Sequence, residues 1–148
     1  MSLGVWYFKG QGAMFSIAVV DDDLAIRELL RDVLTDEGYV PHLFDGMDGT
    51  YQGIRAVSPS VIILDLPSTQ SGAAWALLNR LSTDPVLAHA AIVVCSGDDA
   101  GLAEQSAALQ RHTYAVLPTP FDLNDLAALL QRLIHHTARA YDRAARVS

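Results

Sequence analysis

Apolar residues follow two rhythms along this chain. Short continuous runs, rich in β-branched residues, alternate with longer stretches in which apolar positions recur every three or four residues. Val61-Ile62-Ile63-Leu64 is the clearest run, and it ends in Asp65. Ile17-Ala18-Val19-Val20 has the same form and ends in Asp21-Asp22-Asp23. A run without polar alternation marks a strand covered on both faces, as in a parallel sheet. Ala91-Ile92-Val93-Val94-Cys95 is a third such run, closed by Ser96-Gly97. Two shorter segments, residues 39–44 and 114–117, bring the strands to five. Pro41 confines the former to an edge, because proline donates no ladder hydrogen bond.

Helical spacing fills the intervals. Ile26, Leu29, Leu30, Val33 and Leu34 form one apolar stripe, with Asp23 placed as its N-cap and Gly38 just past its end. Met47, Tyr51 and Ile54 mark a second helix, interrupted by Gly49 and Gly53. Ala74, Leu77, Leu78 and Leu81 mark a third, and a weak fourth covers about residues 102–109. The fifth is capped by Asp122 and is the longest, with Leu123, Leu126, Leu130, Leu133, Thr137, Tyr141 and Ala145 in period. Alternating strands and helices predict an α/β fold: a doubly wound five-stranded parallel sheet with right-handed crossovers and helices on both faces.

Length and composition set limits on this scheme. The 148 residues suit one domain, and 51% hydrophobic with 18% charged residues excludes disorder. Residues 1–13 show no period and read as a leader or expression-derived segment, since Met14 directly precedes the first strand. The folded body is then 14–135, and 136–148 extend the last helix. Arg132, His135, His136, Arg139, Arg143 and Arg146 give its distal end positive charge, as a solvated face, a homodimer seam or a linker helix would have. A net charge of −7 argues against direct nucleic-acid binding by the bulk surface. No apolar run reaches membrane-spanning length, no signal peptide is evident, and the single cysteine, Cys95, forms no internal disulfide. A cytoplasmic protein without a membrane partner is the expectation.

Chemistry enters where the apolar runs stop. In an open α/β sheet the carboxyl ends of the strands flank a crevice at the point where strand order reverses. Asp21, Asp22 and Asp65 line it if the first and third strands are neighbours. Three close carboxylates repel, so a proton or a cation must join them. An all-oxygen donor set favours Mg²⁺, which accepts a phosphate oxygen as a further ligand. Ser96 is placed to hydrogen-bond that phosphate, and a carboxylate beside the ion is a candidate phosphoryl acceptor. Asp23 fits a cap better than a ligand, and His42, His89 and His112 lack metal spacing and read as surface residues.

The chain resembles a receiver domain of the two-component response regulators, over about residues 15–134. Val19-Val20-Asp21-Asp22-Asp23 is similar to the family's acidic pair after the first strand, and Ile62-Ile63-Leu64-Asp65-Leu66 to its phosphoacceptor strand. Val93-Val94-Cys95-Ser96-Gly97 resembles the strand ending in a hydroxyl and a small residue. Thr119-Pro120-Phe121 stands where the family has Lys-Pro-Phe. The resemblance implies a flavodoxin-like strand order 2-1-3-4-5. It implies that Asp65 is the phosphoacceptor, and that Asp22, Asp65 and the backbone carbonyl of Pro67 ligate Mg²⁺ with Asp21 acting through water. Ser96 and Thr119 would face the phosphoryl group, across a cis bond before Pro120. The implied partners are a sensor histidine kinase or phosphotransfer protein, and a downstream protein or output domain. The chain would be an acceptor and not an enzyme.

Three departures stand out. Thr119 replaces the family's lysine, and the chain's one lysine is Lys9. Val116 replaces the aromatic switch residue, with Tyr114 two positions earlier on the same strand face. The loop from Asp65 to Gly72 is one residue shorter than usual. These departures keep a second reading open, a pseudo-receiver that binds proteins without phosphorylation. A remote third is a haloacid-dehalogenase-like phosphatase using Asp21 and Asp23.

Overall fold

The computed structural model describes residues 5–8, 12–66, 72–96 and 109–147, with side chains for 15–66, 72–96 and 110–135. Two strands come first, β1 (Val5–Phe8) and β2 (Gly12–Val20), then α1 (Leu24–Asp36), β3 (Val40–Phe44), α2 (Thr50–Val57) and β4 (Val61–Leu66). They are followed by α3 (Ala73–Thr83), β5 (Ala91–Ser96), β6 (Tyr114–Pro118) and α4 (Leu123–Val147). Short 3₁₀ turns at Pro85–Leu87 and Leu109–Arg111 lead into β5 and β6. The weak helix expected near 102–109 lies outside the described residues, apart from Leu109.

The parallel sheet has the expected order. β2 pairs with β3 and β4, β4 with β5, and β5 with β6, all parallel. Counted along the chain, the five parallel strands run 2-1-3-4-5. The sheet also has a sixth strand that the apolar pattern does not announce. β1 lies antiparallel to the start of β2, with Val5 opposite Phe15 and Phe8 opposite Gly12. Valine, tryptophan, tyrosine and phenylalanine are strand-favouring residue types, and the composition of Val5–Phe8 substitutes here for periodicity.

Each central strand sends alternate residues to opposite faces, so both faces must be apolar. Ile17, Val19, Ile63 and Val93 pack with Leu30 and Leu34 of α1 and Leu126 and Leu130 of α4. Ala18, Ile62, Leu64 and Ile92 pack on the other side with Ile54 of α2 and Leu77, Leu78 and Leu81 of α3. β3 is an edge strand, which accommodates Pro41 opposite Ile17. α1 starts at Asp23, whose Oδ1 accepts from the Ala25 N–H at 2.9 Å and the Ile26 N–H at 3.4 Å. It ends before Gly38, whose φ of +89° suits a residue without Cβ.

The histidines differ from the surface role expected of them. His112 is half-buried, with Nδ1 3.0 Å from the Ala90 carbonyl oxygen and Nε2 2.8 Å from that of Ser82. It ties the end of α3 to the entrance of β5. His89 is half-buried with Nε2 3.4 Å from Ser58 Oγ, and burial lowers the pKa of His42 on β3.

Candidate functional site

Strand register assembles the acidic residues. Val20 pairs with Leu64, so the next residues, Asp21 and Asp65, reach the carboxyl edge of the sheet side by side. Asp22 follows in the loop to α1. One carboxylate oxygen from each of the three lies within 4.8 Å of the others. Asp21 and Asp65 are half-buried and Asp22 is exposed. Among the described residues, no other group of three His, Cys, Asp or Glu side chains is gathered closely enough to hold a metal ion.

Backbone contacts fix this loop. The Asp21 N–H donates to the Phe44 carbonyl at 3.1 Å, which joins the ends of β2 and β3. Arg27 Nη1 donates to the Asp21 carbonyl oxygen at 2.7 Å. The Asp23 N–H donates to Asp21 Oδ1 at 2.9 Å. Arg27, one turn after the Asp23 cap, is the contributor that the apolar pattern misses.

Negative charge dominates the cluster, offset in part at Asp21 by the Arg27 guanidinium. Burial raises the Asp65 carboxyl, and the negative fields of Asp21 and Asp22 push it further, to about 6. Burial also raises Asp21, against the hydrogen bond from the Asp23 N–H, which lowers it. Such a cluster binds a proton or a cation more readily than separate acids do. Its donors are all oxygen, the set suited to Mg²⁺. Burial pushes the Cys95 thiol up to about 12, so it stays protonated and packs as an apolar group.

The remaining expected residues lie along the same edge. Ser96 ends β5 opposite Leu66 and is fully buried. Its Oγ has no hydrogen-bond partner among the described residues. Its carbonyl oxygen accepts from the Thr119 N–H at 2.9 Å, which brings the loop after β6 beside β5. The Thr119–Pro120 bond is cis. Tyr114 and Val116 both pack on the α2–α3 face of the sheet, so they share a face as expected. Pro67 and Gly97 lie outside the described residues.

Two cavities open from the cluster. One, of about 290 Å³, lies between the Asp45-Gly46-Met47 turn and the start of α3. The other, of about 430 Å³, lies between α1 and the Thr119-Pro120-Phe121 segment, with Cys95 in its wall. Asp21, Asp22 and Asp65 line both.

A family model for the response regulator receiver domain matches residues 17–131. The chain belongs to that family. Receiver domains of this kind are the response-regulator half of two-component systems, and the chain shares that place. It is 32% identical over 130 residues to the response regulator MprA of Mycobacterium ulcerans, covering 87% of this chain and 54% of MprA. It is 27% identical over 121 residues to the DNA-binding transcriptional regulator NtrC of Proteus hauseri, covering 82% of this chain and 25% of NtrC. This receiver domain thus spans about half of one relative and a quarter of the other. The chemotaxis response regulator CheY4 of Vibrio cholerae shares the fold, with a TM-score of 0.67 at 21% identity. That match covers 81% of this chain and 98% of CheY4. No helix among the described residues is long and apolar enough to cross a membrane.

Proposed function

We propose that this receiver domain accepts a phosphoryl group on Asp65, from a phosphohistidine of a sensor kinase or phosphotransfer protein. The observation that supports this most directly is the meeting of Asp21, Asp22 and Asp65 within 4.8 Å at the carboxyl ends of two adjacent parallel strands. An Asp65 carboxylate oxygen attacks phosphorus, the P–N bond breaks, and its electron pair leaves with the donor imidazole. The acyl phosphate formed is a modified protein, later hydrolysed by water, so the domain is an acceptor and not a turnover enzyme.

The residues present fit Mg²⁺. Asp22 and Asp65 would hold it, with the Pro67 carbonyl, and Asp21 would act through bound water. Bound there, the ion supplies positive charge against which the phosphoryl oxygens are neutralised. Ser96 Oγ, buried and without a partner among the described residues, has a hydrogen to donate to a phosphoryl oxygen. Thr119 donates at most one neutral hydrogen bond, roughly half as strong as a charge-assisted one.

The test is the intact mass of the protein after incubation with Mg²⁺ and acetyl phosphate. One added phosphoryl group is expected in the wild type and none in Asp65→Asn. No added mass, or a gain that persists in Asp65→Asn, would overturn the reading. Output then passes to a downstream protein or a further domain of the full protein, in the cytoplasm, or to a homodimer through β6 and α4. One observation favours the pseudo-receiver instead: among the described residues, no Lys, Arg or His lines the larger cavity between Asp65 and Thr119. A phosphorylated form whose sedimentation and partner binding match those of the unmodified form would support that alternative.

A further inference from the structure

The loop that carries Asp21 and Asp22 is clamped at three polar groups of Asp21. Its N–H donates to the Phe44 carbonyl oxygen at 3.1 Å, and its Oδ1 accepts from the Asp23 N–H at 2.9 Å. Its carbonyl oxygen accepts from Arg27 Nη1 at 2.7 Å. The partners in the first two contacts are main-chain groups, and only the third partner is a side chain. Arg27 reaches it from the first turn of α1. Its own N–H donates to the Asp23 carbonyl oxygen at 3.0 Å, the first bond of the helix that Asp23 caps. Side chains of a helix lean back toward its N-terminus, which is where the loop lies.

The half-buried Arg27 does not face the carboxylates. It lines a recess of about 360 Å³ on the β3 side, with Asp45 and Asp48, and it lines neither cavity that opens from the acids. Among the described residues no carboxylate lies within ion-pair distance of its guanidinium. A cation stationed to neutralise the acids would meet their oxygens. This one grips the peptide that joins two of them. The Asp21 carbonyl and the Asp22 N–H share one planar unit, so holding the oxygen fixes the direction in which the chain leaves for Asp22. The exposed Asp22 carboxylate accepts no hydrogen bond of its own among the described residues, so the backbone sets its place. A charged donor holds that backbone about twice as strongly as a neutral one.

We infer that Arg27 is a positioning residue for the divalent-cation site, its guanidinium presetting the Asp21–Asp22 peptide so that both carboxylates stand ready for the ion. This rests on the reading of Asp21, Asp22 and Asp65 as a Mg²⁺ site. Position and charge predict opposite signs. Arg27→Gln removes a positive charge near the acids, so charge alone predicts tighter Mg²⁺ binding. Loss of positioning predicts weaker binding by about tenfold or more, the usual cost of removing a group that orients a metal ligand.

The experiment titrates Mg²⁺ into the full chain and follows the folded-state amide signals of Asp22, Asp23 and Leu66 by NMR, so that an unfolded fraction does not enter the fitted Kd. Weaker binding is expected in Arg27→Gln. Arg27→Lys keeps the charge and one donor but loses the planar fork, and should weaken Mg²⁺ less, by about threefold. Arg31→Gln removes an equal charge one turn further along α1, from an exposed side chain, and should bind as tightly as wild type or slightly tighter. In the metal-free protein the Asp22 amide should shift in Arg27→Gln and stay in place in Arg31→Gln. Unchanged or tighter Mg²⁺ binding in Arg27→Gln, beside a wild type that binds, would overturn this inference alone. A wild type that binds no Mg²⁺ would overturn the metal assignment and this inference with it. If Arg27→Gln does not fold, Arg27→Lys decides, because affinity equal to wild type there contradicts positioning.

Discussion

Asp65 carries a measurable consequence of its surroundings. In the unfolded chain its carboxyl ionises near 3.8, and in the fold near 6. Ionising it in the folded state is therefore the costlier event. Its contribution to stability falls as pH rises between those values and stays low above the upper one. Removing the charge with Asp65→Asn should then raise Tm relative to wild type at pH 7.5 and much less at pH 4.5, in Mg²⁺-free buffer. The size is about 1 kcal/mol once solvent screening at this half-exposed group is allowed for, a few degrees in Tm. Adding Mg²⁺ at pH 7.5 should close the gap by stabilising only the wild type, since an ion that binds the folded state raises its stability. A pH-independent difference in thermal melts would contradict this origin. The acids themselves were legible in the sequence, because a carboxylate that directly ends a fully buried strand is costly to place and stands out against its apolar run. Arg27 and His112 were not, because their partners are backbone carbonyls brought close by the fold. No pattern of side chains records such contacts.

Among the elements, α2 shows how packing overrides propensity. Its sequence reads as a poor helix because of Gly49 and Gly53, and it begins later than residue 47, at Thr50. Gly49 sits just before it at φ +90°, where a side chain would be strained. Gly53 has a different reason. A Cβ there would come within 2.6 Å of Phe44 Cε1, so the ring of β3 rests on the bare helix backbone. Gly53→Ala normally gains up to about 1 kcal/mol in a helix interior. Here it should instead lose about 1–3 kcal/mol by overpacking. Urea unfolding would show this, with Gly53→Ala/Phe44→Leu recovering part of the loss. A Gly53→Ala variant more stable than wild type would mean that the ring moves aside freely. The β1–β2 hairpin is the other element that pattern reading missed. Four residues without alternation give no period to detect, and their pairing partner is what defines them.

At the scale of the whole molecule, the sheet divides the interior into two apolar layers that, among the described residues, share no helix. Leu126 of α4 is fully buried in one, and Leu78 of α3 is 2% exposed in the other. Each truncation to alanine should cost about 2–5 kcal/mol, the usual range for a buried leucine. Because the layers are separated by the sheet, the double variant should lose the sum to within about 0.5 kcal/mol. Denaturant midpoints test this, and strong coupling would mean that strain crosses the sheet. The two-layer plan was the most legible part of the sequence, since only strands covered on both faces need unbroken apolar runs. The register between those strands has a further consequence. Ile17 pairs with Val61 and Val20 with Leu64, so Asp21 and Asp65 are reached after equal numbers of steps. Mutational drift can thus exchange apolar residues within either strand, but it cannot shorten one alone. A single-codon deletion inside 61–64 would turn Asp65 toward the opposite face while Asp21 stayed in place. The site is encoded as two matched lengths, and it is more sensitive to miscounting than to misspelling.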